Sequence, residues 1–165
     1  GLMKVSHLRF LEIFARVYTS IFRGTPLLVQ LMFVYFALPQ IINYKITAFE
    51  AGVLAFSLNS GAYVSEIIRS GILSVDRGQF EAAASLGISY FLTMKDIILP
   101  QAIKNILPAL VNETVNLLKE SALVSTIGEM DLLRRANTIA AEKYIYFEPL
   151  LIVAVIYYLL VVSQQ

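Results

Sequence analysis

The sequence predicts an all-α integral membrane protein, a multi-span helical bundle forming one transmembrane domain over residues 1–165. Three observations predict it. Hydrophobic residues make up 58% of the chain and charged residues only 15%, with a mean hydropathy of +0.70, whereas soluble domains carry about a quarter charged residues. Four stretches approach the roughly 20 apolar residues that a helix needs to cross a hydrocarbon core about 30 Å thick. Within two of those stretches the polar residues recur at the helical period, so each has a polar face to bury against protein or water.

Several function classes are excluded at once. The net charge is +1, and there is no basic stripe, so no nucleic-acid partner is expected. There is no cysteine, and His7 beside Arg9 is the only histidine. Disulfides, thiolate metal sites and multi-histidine metal sites are therefore out, and no cofactor is expected on this chain; His7 reads as a solvated loop residue. Gly1–Phe22 does not read as a signal peptide, because Arg9, Glu12 and Arg16 interrupt its would-be apolar core.

The first expected span, about 25–43, is apolar except for Gln30 and Gln40. Arg23 and Pro26 before it suit an interfacial anchor and a helix start. The second, about 49–69, carries Asn59, Tyr63, Glu66 and Ser70 at i, i+4, i+7 and i+11. Arg69, three residues beyond Glu66, gives that carboxylate a local partner. The third, about 101–119, carries Asn105, Asn112, Asn116 and Lys119 on one strip and Glu113 and Glu120 on the next. Such residues serve either as polar glue between helices or as the wall of a polar path. Pro108 and Leu123–Gly128 are places where this span could bend or break. The fourth, about 146–163, is almost uniformly apolar.

Eight of the thirteen basic residues lie in the segment before Pro26 and in the connection Arg69–Lys104. The positive-inside rule assigns both to the cytoplasm. The connection is structured rather than floppy. Asp76 can cap a helix, with Gln79 completing a capping-box-like pair. Gly87 stands where a left-handed C-terminal residue is wanted, Ser89 can cap a second short helix, and Pro100 suits the first turn of the next. Phe80, Leu86, Tyr90, Phe91 and Met94 are too apolar for a loop in water. They pack back on the chain's own spans or dock a cytoplasmic partner.

Within this coupling loop, 74–100, Glu81-Ala82-Ala83, Gly87, Ile97, Leu99 and Pro100 match EAA-x3-G-x9-I-x-L-P at all seven fixed positions. The chain thereby resembles the permease subunits of ABC importers. Arg23–Leu31, Ser60–Ile72, Ser74–Ala83 and Leu117–Gly128 are similar to the polar amino-acid uptake branch, the histidine/arginine/glutamine permease type. The resemblance implies the type I permease fold and a non-catalytic subunit in a bacterial plasma (inner) membrane. It implies three kinds of partner besides the bilayer: a cytoplasmic ABC ATPase dimer that binds the ATP, a second permease subunit, identical or not, and an extracytoplasmic substrate-binding protein. Glu81, Ala82, Ala83 and Gly87 take the ATPase-coupling role by motif match. Because the family has five spans with the N-terminus outside, the chain is expected to be a fragment lacking the first span and its C-terminal end.

Glu113 is the candidate substrate residue. A carboxylate in mid-span costs about 2.5–3.5 kcal/mol on insertion scales, and its helix offers no basic residue at i±3 or i±4. A cationic group of the substrate would offset that cost, with Asn59 and Asn116 hydrogen-bonding nearby. Basic amino acids are preferred, because many relatives in this branch carry an uncharged residue there. A structural pair with an arginine of another subunit is the plainer account. The alternative function is an ion-coupled secondary transporter with Glu113 as the coupling-ion site. An intramembrane enzyme finds no catalytic set, since Asp76, Asp96 and Asp131 all fall in loops.

Overall fold

The computed structural model describes residues 9–163, so the expectation for His7 lies outside the described residues. Among those residues every regular element is helical. Helix α1 (Arg9–Gly24) precedes Pro26. Then follow α2 (Leu27–Ile42), α3 (Ala48–Leu73) and α4 (Arg77–Ser85). A lead-in, Tyr90–Leu92 and Thr93–Ile98, runs on into α5 (Leu99–Glu120). After a 3₁₀ segment, Ser121–Ile127, come α6 (Leu132–Lys143) and α7 (Phe147–Val162).

Chain contacts group these elements into two compact units. One holds the residues up to Arg23 together with Gly61–Glu113; the other holds Gly24–Ser60 and the chain from Thr114 on. The first is centred on Ile72, Val75, Ile98, Ala102 and Ile106. The second is centred on Leu27, Leu31, Val34, Ile46, Ala51, Ala55 and Ile127.

Helix boundaries follow local chemistry. Thr47 and Glu50 form a reciprocal capping box at the start of α3: the Thr47 N–H donates to Glu50 Oε2 at 2.8 Å and the Glu50 N–H donates to Thr47 Oγ1 at 3.2 Å. This box went unread in the sequence although it has the T-x-x-E spacing. For helix α1 the positive-inside rule reports only charge. The helix has a strongly amphipathic pattern, with Ala15 and Thr19 buried and Ile13, Phe14, Val17 and Ile21 exposed.

Two prolines sit inside helices without breaking them, for a common reason. The turns Phe33–Ala37 and Thr93–Ile98 are widened to the π form, and each ends two residues before a proline, Pro39 and Pro100. The residue before each proline donates five residues back: the Leu38 N–H to the Phe33 carbonyl and the Leu99 N–H to the Met94 carbonyl. A wide turn relieves the clash between a proline ring and the preceding turn's carbonyl. Pro100 therefore does not start a helix as expected; the helix begins at Tyr90 and passes through it. Pro108 also lies within α5, which stays helical to Glu120.

One helix among the described residues, α3, is by itself long and apolar enough to cross a membrane. Helix α7, with 16 residues, falls short in length. The expected third span lies on α5, whose asparagines, glutamates and lysines lower its hydropathy.

Close packing within the first unit depends on Gly71. A Cβ there would collide with the Ile106 side chain and meet the Ala102 carbonyl at 3.4 Å. Gly71→Ala is expected to destabilise the fold by about 1–3 kcal/mol through overpacking, and Ile106→Ala in the same chain, which removes the colliding Cγ1, to recover part of the loss. Thermal unfolding in detergent measures both; a Gly71→Ala midpoint equal to the parent's would show that the contact is not tight.

Candidate functional site

The connection between α3 and the Tyr90 helix is held by three local devices. Asp76 Oδ1 caps α4 by accepting from the Gly78 N–H at 2.6 Å. Gln79 does not return to the cap as a capping box requires; its side-chain carbonyl instead lies 3.4 Å from the Gln101 amide, which donates to it. At the other end Gly87 has φ +69°. The Gly87 N–H donates to the Ala84 carbonyl and the Ile88 N–H to the Ala83 carbonyl, both at 3.0 Å. That pair of bonds is the Schellman termination, which closes orphan carbonyls and reverses the chain in one residue. Ser89 then accepts from the Leu92 N–H at 3.5 Å and starts the next helix.

The motif residues divide by burial. Ala83 is 1% exposed and faces the packing of its own unit. Glu81, Ala82 and Gly87 are exposed. The Glu81 carboxylate makes no hydrogen bond or ion pair among the described residues, although its backbone carbonyl accepts from Ser85 Oγ. Leu86, Tyr90 and Phe91 are 77%, 66% and 71% exposed. The loop thus presents an unengaged carboxylate beside small and apolar side chains, the composition of a protein-docking surface rather than of a solvated turn.

A second constellation lies in the first unit. Tyr63, Glu66 and Ser70, three of the four residues expected on the polar face of α3, line a cleft of about 560 Å3 with Arg23, Ser74, Asn105 and Ala109. Arg69 holds Glu66 as the i,i+3 spacing requires, with Nε donating at 2.8 Å and a terminal guanidinium nitrogen donating to the same Oε1. Arg23 is a third charge that sequence reasoning gave only an anchoring role. Its guanidinium is 3.8 Å from Glu66 Oε1 and 5.4 Å from the centroid of the Tyr63 ring, within cation–π range. No signal in the sequence places Arg23 beside Glu66, 43 positions away. Across the cleft Asn105 donates to Ser74 Oγ at 2.8 Å.

The substrate candidates are divided between the two units. Glu113 belongs to the first unit and is half-buried on α5; Asn116, three residues on, is exposed. Asn59 belongs to the second unit, is 4% exposed, and donates to Gln30 Oε1 at 3.1 Å. The Gln30 amide in turn donates to the Thr25 carbonyl at 3.0 Å and to its hydroxyl at 2.8 Å. This chain of amides ties α3 to the start of α2.

Comparison with known proteins places these features. Residues 1–163 match the family described as binding-protein-dependent transport system inner membrane component. The chain belongs to that family. A permease protein of Rickettsia conorii named for a glutamine transport system is 63% identical over 161 residues, covering 98% of this chain and 74% of the relative. The arginine transport system permease protein of Bacillus subtilis is 56% identical with the same coverage. Among solved structures, the crystal structure of an amino acid ABC transporter with histidines superposes with a TM-score of 0.93 at 52% identity, over 99% of this chain and 76% of that one. An inward-facing methionine ABC transporter shares the fold at 17% identity, with a TM-score of 0.70 over 93% of this chain and 72% of that one.

The permease is thus a membrane subunit of the ABC importer type, in the polar amino-acid uptake branch. Membership implies a separate ATPase and a substrate-binding protein as partners. It also sets aside the ion-coupled secondary transporter.

The amide pair gives a structural prediction. Asn59→Leu removes the donor to Gln30 and is expected to destabilise the permease by about 1 kcal/mol, near the usual size of interhelical hydrogen bonds in membranes. Replacing both Gln30 and Asn59 by leucine should cost less than the single change, because no polar group is then left enclosed. Unfolding in mixed micelles compares the three proteins; a double variant weaker than Asn59→Leu would refute the pairing.

Proposed function

We propose that this chain is a multi-pass permease subunit of a bacterial plasma-membrane importer, that it works with a second permease subunit, identical or not, and that together they form the path for a polar, basic amino acid. The observation that carries the reading is the 52% identity and TM-score of 0.93 to an amino acid ABC transporter. The relative named for arginine transport favours a basic substrate. The relative named for glutamine transport keeps a neutral polar one as the second reading.

Coupling runs through the exposed edge of α4. Glu81 supplies a charge-assisted acceptor for a basic or amide donor on the ATPase. Ala82 lets another backbone approach, the buried Ala83 seats α4 on its own unit, and Gly87 fixes the reversal into the Tyr90 helix. Movement imposed on α4 then passes through one turn into the helix that carries Glu113. In the path, Glu113 receives a cationic group of the amino acid and Asn116 hydrogen-bonds one turn away. Asn59, held by Gln30 within the second unit, is the third candidate for hydrogen-bonding the substrate.

Two substitutions separate coupling from substrate recognition in vesicles containing permease, ATPase and binding protein. Glu81→Lys reverses the docking charge and should lower substrate-stimulated ATP hydrolysis roughly tenfold or more, the scale of one lost charged hydrogen bond. Its purified complex should also hold less ATPase. Glu113→Gln should leave ATPase assembly intact and reduce stimulation by arginine or lysine about tenfold, with little change for glutamine. Equal stimulation of parent and Glu113→Gln by arginine would remove the basic-substrate reading; an unaffected Glu81→Lys complex would remove the coupling assignment.

A further inference from the structure

The cleft in the first unit holds more positive charge than its own carboxylate balances. Glu66 Oε1 is taken by two guanidinium nitrogens of Arg69. Arg23 stands 3.8 Å from that same oxygen, outside hydrogen-bond range, and rests on the Tyr63 ring. None of the N–H groups of Arg23 has a hydrogen-bond acceptor among the described residues, and its side chain is 41% exposed where it lines the cleft. Two guanidiniums against one carboxylate leave one unit of positive charge facing a space of about 560 Å3.

A guanidinium fixed by an aromatic face and short of acceptors is suited to a planar oxyanion, which it binds through two parallel hydrogen bonds. The rest of the lining fits such a guest. Ser70 and Ser74 offer hydroxyls, and Asn105, already orienting Ser74, offers an amide. Asn105 and Ala109 stand at i and i+4 on α5, and Glu113 follows at i+8, so the negative group comes one turn, about 6 Å, after the end of the positively charged cleft.

We propose that this cleft is a carboxylate subsite of the translocation path, with Arg23 as the residue that receives the α-carboxylate of the passing amino acid. The inference rests on the reading of the chain as an amino-acid permease. It does not rest on the substrate's side chain, because every α-amino acid brings the carboxylate. Arg69 positions Glu66, and Glu66 keeps Arg23 over the cleft without consuming its donors.

The test is direct binding to the permease assembled with its ATPase in nanodiscs, without the binding protein. Two ligand pairs differ only in the carboxylate: arginine against agmatine, and glutamine against 4-aminobutanamide. The parent complex should bind the carboxylate-bearing member of at least one pair about tenfold more tightly, the scale of a charge-assisted pair. Arg23→Gln should abolish that preference while leaving affinity for the decarboxylated member unchanged. Arg23→Lys, which keeps the charge but not the fork, should retain part of it and carries the test should Arg23→Gln fail to assemble. A preference that survives in both variants overturns the proposal, as does an equal loss for both members of a pair. A preference confined to the glutamine pair supports this subsite while refuting the basic substrate, so the two readings fail separately.

Discussion

Polar groups on apolar helices must find partners inside the protein, and most of this structure follows from that requirement. Gln30 and Asn59 meet across helices, Glu66 is held by Arg69 and approached by Arg23, and Asn105 turns to Ser74. The backbone obeys the same rule. Where Pro39 and Pro100 remove a donor, the preceding turns widen and the helix continues. Every helix C-terminus leaves several carbonyls without an intrahelical donor, and chain reversals here are closed by paired bonds of the kind made around Gly87 and repeated at Gly128, where the Glu129 N–H reaches the Val124 carbonyl.

The sequence made the helical class and the α4 reversal legible because both rest on local signals. Apolar run length, the caps Asp76 and Ser89, and the left-handed Gly87 are decided within a few residues of chain. It made the face of α3 legible too: Tyr63, Glu66 and Ser70 line one cleft. It did not reveal that Asn59, the first residue of that same strip, pairs with Gln30 twenty-nine residues earlier, because periodicity reports a direction and not which neighbour fills it. Arg23 was undervalued for the same reason. Its partners Tyr63 and Glu66 lie forty residues or more away in sequence, and no local rule brings them together. The two widened turns were not legible: a proline inside a helix does not say whether the helix breaks, kinks or widens, and Pro100 also suits a helix start.

Helix α4 and the helix that carries Asn105 and Glu113 are joined without a flexible break. Helix α4 ends in a turn fixed by two hydrogen bonds, and the helix after it runs from Tyr90 through Glu120 with no non-helical residue. A displacement at the exposed Glu81 edge therefore reaches Asn105 and Glu113 through a stiff connection rather than a hinge. The buried Ala83 and the core around Ile98, Ala102 and Ile106 prevent α4 from swinging independently of that helix. The same packing requires a small residue at Gly71, where α3 and α5 press together.

Each widened turn also contains one residue more than an ordinary α-helix would use over the same rise. Side-chain directions before and after it are therefore offset by one position, about 100° around the axis. The apolar and polar stripes of the Tyr90 segment cannot be extrapolated across Thr93–Ile98 onto α5, nor those of Leu27–Met32 across Phe33–Ala37. A homologue whose helix lacks the bulge will align with this chain only when a one-residue gap is opened there. Ungapped comparison of the two would pair positions that point in different directions around the helix.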